Sequence, residues 1–147
     1  MIDIKTEIDH FLNAYANRFN KALKIGISDV EGTADSFAEH FIEANPNGVT
    51  CGKNDDNFRL AIPKGYAFYK SIGITSMNIL SKEITLLNNH HTMAKVHWQS
   101  AFTRKDNSQG EITFEVIYFI QSIKGEHKIF GYITGDEQKG LKEAGLI

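Results

Sequence analysis

Apolar side chains recur every three or four residues over the first part of the chain. Over positions 6–24 they form one stripe of a helix, made of Ile8, Phe11, Leu12, Tyr15, Phe19, Ala22 and Leu23. Thr6 is predicted to cap this helix and Gly26 to end it. After a capping pair, Ser28 and Glu31, the same spacing predicts a second helix that extends to Ile42.

The middle of the chain is predicted to contain two short strands and a short helix. Positions 49–51 and 58–60 are apolar or β-branched segments on either side of the polar loop 52–57, so each is interpreted as a strand. Pro63 is expected in the first turn of a helix that ends at Gly73.

From Met77 onward the hydrophobic period changes to two, which predicts strands near 77–88, 91–104, 111–123 and 128–134. A last, short helix is expected between the capping residue Thr134 and Gly145. Helices followed by consecutive strands indicate an α+β fold. We predict one domain over 1–147, in which three helices of the N-terminal half pack on one face of a cone-shaped, curved antiparallel sheet, with a short C-terminal helix.

The two longest predicted strands differ in how their faces are patterned. Strand 91–104 has an apolar set expected to face the helices (Ala94, Val96, Trp98, Ser100, Phe102) and an outward set that is mostly polar. Strand 111–123 is apolar on both faces, so its outer face should also be covered. We therefore expect a homodimer through the sheet face; an extra segment of the same chain is the alternative.

Composition limits the partners. The chain has 147 residues, 41% of them hydrophobic and 23% charged, which is typical of one globular domain. Its net charge of −2 lacks the basic excess of nucleic-acid-binding domains, so no nucleic-acid partner is expected. No segment approaches the roughly 20 apolar residues of a membrane span, and the N-terminus has no signal-like pattern. A cytoplasmic protein without a membrane partner is predicted.

Metal and cofactor motifs are not found in the sequence. His90 and His91 are adjacent, so on a strand they would point to opposite faces, and no metal site is predicted. The glycine-rich patterns that bind nucleotides are missing, and no cofactor is predicted. Cys51 is the only cysteine and is interpreted as a small buried hydrophobic residue.

A cavity is expected where the helices and the curved sheet diverge, because such gaps accommodate small apolar ligands. Nine residues are predicted to line it: Tyr15, Phe19, Phe37, Phe41, Cys51, Tyr66, Tyr69, Trp98 and Tyr118. Tyrosine and tryptophan tips could orient a ligand carbonyl; the alternative is that these rings only fill the core.

Two ionisable residues are weak candidates for acid–base catalysis. If the turn at Asn89 and His90 is a two-residue hairpin, Glu83 faces the cavity, where desolvation would raise its pKa. A one-residue change in that loop would send Glu83 to the other face. His97 is the second candidate.

This layout resembles the SnoaL-like branch of the nuclear transport factor two-like superfamily. The most specific segments are 11–15 (FLNAY), 63–66 (PKGY), 93–98 (MAKVHW) and 129–138 (IFGYITGDEQ). The last of these, together with 143–146 (EAGL), looks like a subgroup of small bacterial proteins without assigned activity. The resemblance implies a homodimer with an internal pocket, but the superfamily contains enzymes, binding modules and transport adaptors alike.

Ketosteroid isomerase shares the implied architecture, so the positions of its catalytic residues can be compared with this sequence. In an ungapped comparison, Tyr15 falls where that enzyme has its oxyanion-hole tyrosine. Its general base would lie within 49–51 and its second acid within 116–118, and this sequence has no acid in either segment. We therefore expect a homodimeric protein that binds an apolar or carbonyl-bearing ligand without evident catalysis. The alternative is an isomerase or lyase, like ketosteroid isomerase or a polyketide cyclase, that uses Glu83 or His97 as acid or base.

Overall fold

The computed structural model describes residues 2–147, so Met1, the first residue of the predicted domain, lies outside the described residues. The chain begins with α1 (Ile4–Ile25), which confirms the first predicted helix. Its N-cap is Asp3 rather than Thr6: the Asp3 carboxylate accepts a hydrogen bond of 2.8 Å from the backbone N–H of Thr6. Gly26 ends the helix in the left-handed conformation, with φ of 70°.

The second helix is much shorter than predicted. Helix α2 covers only Val30–Asp35, and the chain then continues as strand β1 (Phe37–Asn45), so the prediction of a helix up to Ile42 is wrong. Phe37 and Phe41 are both buried. Residues four apart share one face of a helix and also one face of a strand, so their spacing did not distinguish the two.

The third helix begins earlier than predicted. Helix α3 covers Asp56–Ser71, so the prediction of a strand at 58–60 is wrong. Asp55 caps it, because its carboxylate accepts a hydrogen bond of 3.0 Å from the backbone N–H of Phe58. Pro63 lies inside this helix rather than in its first turn, where its missing N–H removes one internal hydrogen bond.

The remaining strands match the predicted ones closely. They are β2 (Gly48–Lys53), β3 (Ile74–Leu86), β4 (His91–Thr103), β5 (Gln109–Ile123) and β6 (Glu126–Ile133), and the last helix is α4 (Glu137–Glu143). The strand order is β2-β1-β6-β5-β4-β3 in a curved sheet that does not close. Every neighbouring pair is antiparallel except β1 and β6, which are parallel. The predicted α+β class is confirmed, and this one pairing makes the sheet mixed.

The core lies between α1 and the inner face of the sheet. Ile8 and Leu12 of α1 are fully buried, and so are Val96 of β4 and Ile120 of β5. Alternate residues of β4 are buried along the whole strand, which confirms the predicted inward face. No helix within residues 2–147 combines the length and the apolar character that crossing a membrane requires.

Candidate functional site

A cavity of about 430 Å³ opens between α1, α3, the inner face of the sheet and the segment that joins β6 to α4. Its volume is within the range of about 300–1,000 Å³ that is usual for ligand pockets. The walls are largely aromatic, formed by Tyr15, Phe19, Phe37, Tyr69, Trp98, Phe114, Tyr118 and Tyr132. The helices and the sheet therefore enclose a hollow that is lined mainly by rings.

Tyr15 of α1 contacts rings from three strands. Its ring centroid lies 6.3 Å from that of Phe37, 6.4 Å from Trp98 and 6.1 Å from Tyr118, each in an edge-to-face arrangement. The helical stripe of α1 brings Tyr15 to the cavity, and the inward register of β4 brings Trp98. These two residues face the same hollow, as the sequence predicted.

Burial keeps the inner phenols neutral. It raises the pKa of Tyr15 well above its ordinary value. The pKa of Tyr118 also rises strongly, first because of burial and then because of the neighbouring Tyr15, while the nearby Trp98 indole N–H, which does not reach hydrogen-bond geometry with the Tyr118 hydroxyl, opposes the rise. Both hydroxyls therefore keep their protons over the whole neutral range and are available as hydrogen-bond donors.

Two polar atoms on the inner face of β4 are buried without a hydrogen-bond partner. They are Nε1 of Trp98, a residue that is 1% exposed, and Oγ of Ser100, which is 4% exposed. Buried polar groups are nearly always hydrogen-bonded, so each such exception needs a reason. Since Trp98 and Ser100 both line the cavity, a polar group on a bound molecule would supply the missing partner.

Acidic residues lie at the cavity mouth. Glu137, the first residue of α4, accepts hydrogen bonds from the Tyr69 hydroxyl, with 2.8 Å to each carboxylate oxygen. Burial and the Glu137 charge raise the pKa of Tyr69. Asp136 caps α4 and also lines the cavity. From the sequence, this segment was predicted to begin a helix and was one of the segments that carry the family resemblance, but neither acid was predicted to line the cavity. The signal for it was an acidic pair shortly after the end of a strand.

A third carboxylate, that of Glu43, contacts the cavity wall through a tyrosine. The hydroxyl of Tyr132 donates a hydrogen bond to Glu43, its neighbour across the parallel pair of β1 and β6. Thr50 of β2 donates to the other oxygen of Glu43, at 3.4 Å. Burial first, and Glu43 second, raise the pKa of Tyr132. The contact was not predicted because the residues of β1 up to Ile42 were expected to be helical.

Six of the nine predicted lining residues border the cavity, and Phe41, Cys51 and Tyr66 do not. Phe41 packs instead against Phe58 of α3, with ring centroids 5.1 Å apart. Tyr66 shares a hydrogen bond of 3.2 Å with the Thr33 hydroxyl. Cys51 is exposed, so its interpretation as a buried residue is wrong; it belongs to an edge strand whose residues are mostly exposed.

The two weak catalytic candidates lie on the outer face of the sheet. Nε2 of His97 is 3.0 Å from Oε2 of Glu83, and Nδ1 of His97 is 3.8 Å from a carboxylate oxygen of Glu115. The expectation that Glu83 faces the cavity is wrong. The hydrogen bond with His97 lowers the pKa of Glu83 rather than raising it, and the Lys95 charge acts in the same direction.

The turn between β3 and β4 explains the position of Glu83. Leu86 pairs with Thr92 and the backbone N–H of Leu87 donates to the His91 carbonyl, so the turn has three residues, 88–90, and not the two-residue hairpin on which the expectation depended. The extra residue changes the register by one, and Glu83 pairs with the outward-facing Lys95 instead of the inward-facing Val96. A β-bulge at Leu80 shifts the register again, so Ile79 beyond it pairs with Trp98.

A resident metal ion has no set of ligands in the described part of the chain. Within residues 2–147, no three His, Cys, Asp or Glu side chains come together in a way that could hold one. What the cavity offers is therefore an aromatic enclosure with neutral hydrogen-bond donors inside and carboxylates at its mouth.

The fold and the cavity together define a class of protein: an α+β protein in which helices and a curved sheet enclose a ligand-sized hollow. The chain belongs to the family described as NTF2-like protein (DUF6841), whose model matches residues 6–137. The family resemblance at the superfamily level is thereby confirmed. No curated protein shows significant sequence similarity to the chain.

Solved structures share the fold at low sequence identity. An NTF2-like protein of unknown function from Shewanella oneidensis MR-1 is 19% identical, with a TM-score of 0.61 over 90% of this chain and 98% of that one. An NTF2-like protein with a cystatin-like fold from Novosphingobium aromaticivorans is 11% identical, with a TM-score of 0.65 over 97% and 88%. A ketosteroid isomerase-like protein from Erwinia carotovora atroseptica is 13% identical, with a TM-score of 0.62 over 88% and 93%.

Proposed function

We propose that this protein binds a small apolar molecule that carries a carbonyl or hydroxyl group. The observation that supports the proposal is the buried Ser100 Oγ, which has no hydrogen-bond partner in an otherwise aromatic wall, together with Trp98 Nε1, which makes no well-formed hydrogen bond with the nearby Tyr118 hydroxyl. An empty core would gain nothing from leaving two polar groups unsatisfied, because each costs roughly 1–3 kcal/mol when buried without a partner.

The inner tyrosines would orient the ligand. A ligand carbonyl would accept hydrogen bonds from the protonated hydroxyl of Tyr15 or Tyr118, and the surrounding rings would bury its apolar part. Since the chain has a single tryptophan and Trp98 lines the cavity, its fluorescence reports directly on occupancy.

The test compares Tyr15→Phe with Tyr66→Phe, using benzylacetone, an aromatic ketone, as the probe. Each variant loses one buried hydroxyl, but only Tyr15 borders the cavity. We expect Trp98 fluorescence titration to show about fivefold weaker binding for Tyr15→Phe and unchanged binding for Tyr66→Phe, since one hydrogen bond contributes about 1 kcal/mol. Equal affinities in both variants, or no binding of benzylacetone by the unaltered protein, would contradict the proposal.

Isomerase or lyase chemistry at Glu83 or His97 is not part of this proposal. Both side chains lie on the outer face, across the sheet from the cavity. The similarity to a ketosteroid isomerase-like protein is 13% in sequence and therefore bears on the fold alone.

We also propose that the protein forms a homodimer through the outer face of the sheet. The support is an apolar outer patch, which we define as Ile42, Met93, Ile117, Phe119, Phe130 and Ile133. Ile42 and Ile133 are 50% and 42% exposed, and the rings of Phe119 and Phe130 lie 6.1 Å apart. An apolar surface that spans several strands is typical of a protein interface.

The dimer test compares Ile133→Lys with Leu60→Lys, because Leu60 is an exposed residue of α3, away from the sheet. At micromolar concentration we expect sedimentation to give a dimer for the unaltered protein and for Leu60→Lys, and a monomer for Ile133→Lys. A monomeric unaltered protein would contradict the proposal. The cytoplasmic location and the lack of a nucleic-acid partner stay predictions from composition.

A further inference from the structure

Both charged side chains that line the cavity are acidic. Asp136 and Glu137 lie at its mouth, and none of the described residues that line it is Lys, Arg or His. Arg18 is a cation close to the aromatic wall, 5.9 Å from the Tyr15 ring centroid, but it donates a hydrogen bond to Ser36 and does not line the cavity. The charge that a bound molecule meets at the mouth is therefore negative.

Hydrogen bonds hold both carboxylates without neutralising them. The Tyr69 hydroxyl donates to Glu137, and the backbone N–H of Lys139 donates to Asp136 at 3.1 Å. Within residues 2–147, neither carboxylate takes part in a salt bridge. A hydrogen bond from a neutral donor orients a carboxylate and leaves its charge free to act on a ligand.

The aromatic walls add to this preference. The face of an aromatic ring carries partial negative charge and attracts a cation within about 6 Å. Tyr69 contributes such a ring next to Glu137, and Phe19 packs against it with ring centroids 5.6 Å apart. Ring faces and carboxylates together form the environment in which proteins commonly hold ammonium groups.

The unpartnered atoms on β4 provide an independent sign of a ligand. Ser100 is 4% exposed and its Oγ has no partner, yet it belongs to the same cavity as the two acids, which follow β6. The cavity therefore has one uncharged polar region on β4 and one anionic region at its mouth.

We infer, building on the proposed function, that the cavity selects an amphiphilic cation. Its apolar body would lie among the rings and its protonated amine next to Glu137 and Asp136, and carboxylate or phosphate ligands of the same shape would be disfavoured. The inference concerns the charge of the ligand, whereas the proposed function concerns only its apolar body and its oxygen-bearing group.

The test uses three probes of the same shape: phenylbutylamine, phenylbutanol and phenylpentanoate, which carry an ammonium, a hydroxyl and a carboxylate near neutral pH. We expect Trp98 fluorescence and calorimetry to show about fivefold tighter binding of the amine than of the alcohol, and about fivefold weaker binding of the carboxylate, because the mouth is partly solvated. Added salt should reduce both differences.

Matched variants locate the effect. Asp136→Asn with Glu137→Gln removes both charges but keeps an N-cap and an oxygen that can accept from Tyr69. This double variant should bind the amine and the alcohol with equal affinity. Glu143→Gln removes a charge from the other end of α4, outside the cavity lining, and should keep the fivefold preference.

The outcomes separate the inference from the proposed function. Equal binding of the three probes, or tightest binding of the carboxylate, would overturn the inference and leave the binding function standing. An equal loss of preference in Glu143→Gln would also overturn it, because the effect would then come from the overall charge of the protein. No binding of any of the three probes would overturn both.

Discussion

The two faces of the central strands use their polar residues in opposite ways. On the inner face of β4, Trp98 and Ser100 have buried polar atoms without partners. On the outer face of the same strand, the His97 ring lies between two carboxylates, and Gln99 donates a hydrogen bond of 2.8 Å to Glu111. Neighbouring residues of one strand thus face an enclosed aromatic cavity on one side and the exposed outer surface on the other.

The difference shows that a pair of ionisable residues is not by itself a sign of function. Glu83 and His97 satisfy each other and are accessible to water, which accounts for them fully as a surface pair. The inner groups have no well-formed hydrogen bond within the protein, which supports the proposal that a bound molecule supplies their partner. Unsatisfied polarity inside the cavity is therefore better evidence for a site than paired charge outside it.

The largest expected effect is the difference in stability between variants on the inner and the outer face of β4. Trp98→Ala removes a ring that is 1% exposed and should lower the free energy of unfolding by about 3–5 kcal/mol. His97→Ala, its neighbour on the outer face, should change it by less than about 1 kcal/mol, because exposed pairs contribute little. Urea unfolding followed by circular dichroism measures both. Similar losses of unfolding free energy in the two variants would contradict the contrast between the buried inner face and the exposed outer face.

Alkaline titration should reveal the buried phenols. Burial raises the pKa of Tyr15 and Tyr118 above the ordinary value of 10.0, so the folded chain keeps protons that the unfolded chain loses. Their contribution is complete below pH 10 and falls as the pH rises above it, by up to about 1.4 kcal/mol per pH unit for each residue. Urea midpoints at increasing pH, with tyrosinate absorbance, test this. Ionisation of all tyrosines near pH 10 in the folded protein would contradict it.

A pair of serines on the inner face tests whether the missing partner matters. Ser122 Oγ lies 2.7 Å from Nδ1 of His127, whereas Ser100 Oγ has no partner. Ser122→Ala should lower the free energy of unfolding by about 1 kcal/mol, and Ser100→Ala should leave it unchanged or raise it slightly. The same unfolding experiment applies. A clear loss in Ser100→Ala would mean that the hydroxyl has a protein partner in solution.

The smallest expected effect is on the pKa of Glu83, which pairs with His97 on the outer face. The hydrogen bond with His97 lowers the pKa of Glu83 from its ordinary value of 4.5, so the stabilising contribution is present above pH 4.5 and is lost as the pH falls through the lowered pKa. His97→Ala should raise the Glu83 pKa toward 4.5, measured by NMR titration of the carboxyl. His91→Ala, which does not contact Glu83, is the control. An unchanged pKa in His97→Ala would show that the pair does not form in solution.

Elements with strong local patterns were predictable from the sequence. The apolar stripe of α1 and the alternation of apolar and polar residues along β4 depend only on the local geometry of a helix and of a strand. Both elements were therefore predicted with the correct type and with a length within a few residues of the observed one. The cavity residues that these elements carry, Tyr15 and Trp98, were found for the same reason. Phe37 was also found, although the element that carries it was assigned incorrectly.

Elements that depend on distant partners were not predictable. Strand β1 exists because it pairs with β2 and with β6, which lies near the other end of the chain. The face of Glu83 depended on the length of the turn between β3 and β4, and the one residue beyond the assumed two-residue hairpin moved Glu83 to the outer face. Glu137 was missed because only the approach of α3 to α4 brings Tyr69 to it.

The amino-acid sequence by itself determined the α+β class, the first helix, the inward face of β4 and an aromatic hollow between helices and sheet, because hydrophobic period and turn residues act over a few positions. Tertiary structure decided which polar groups that hollow contains. The register of β3 against β4 placed the Glu83–His97 pair outside, and the contact between α3 and α4, which is set by packing between remote segments, placed the acids of 136–137 at the mouth.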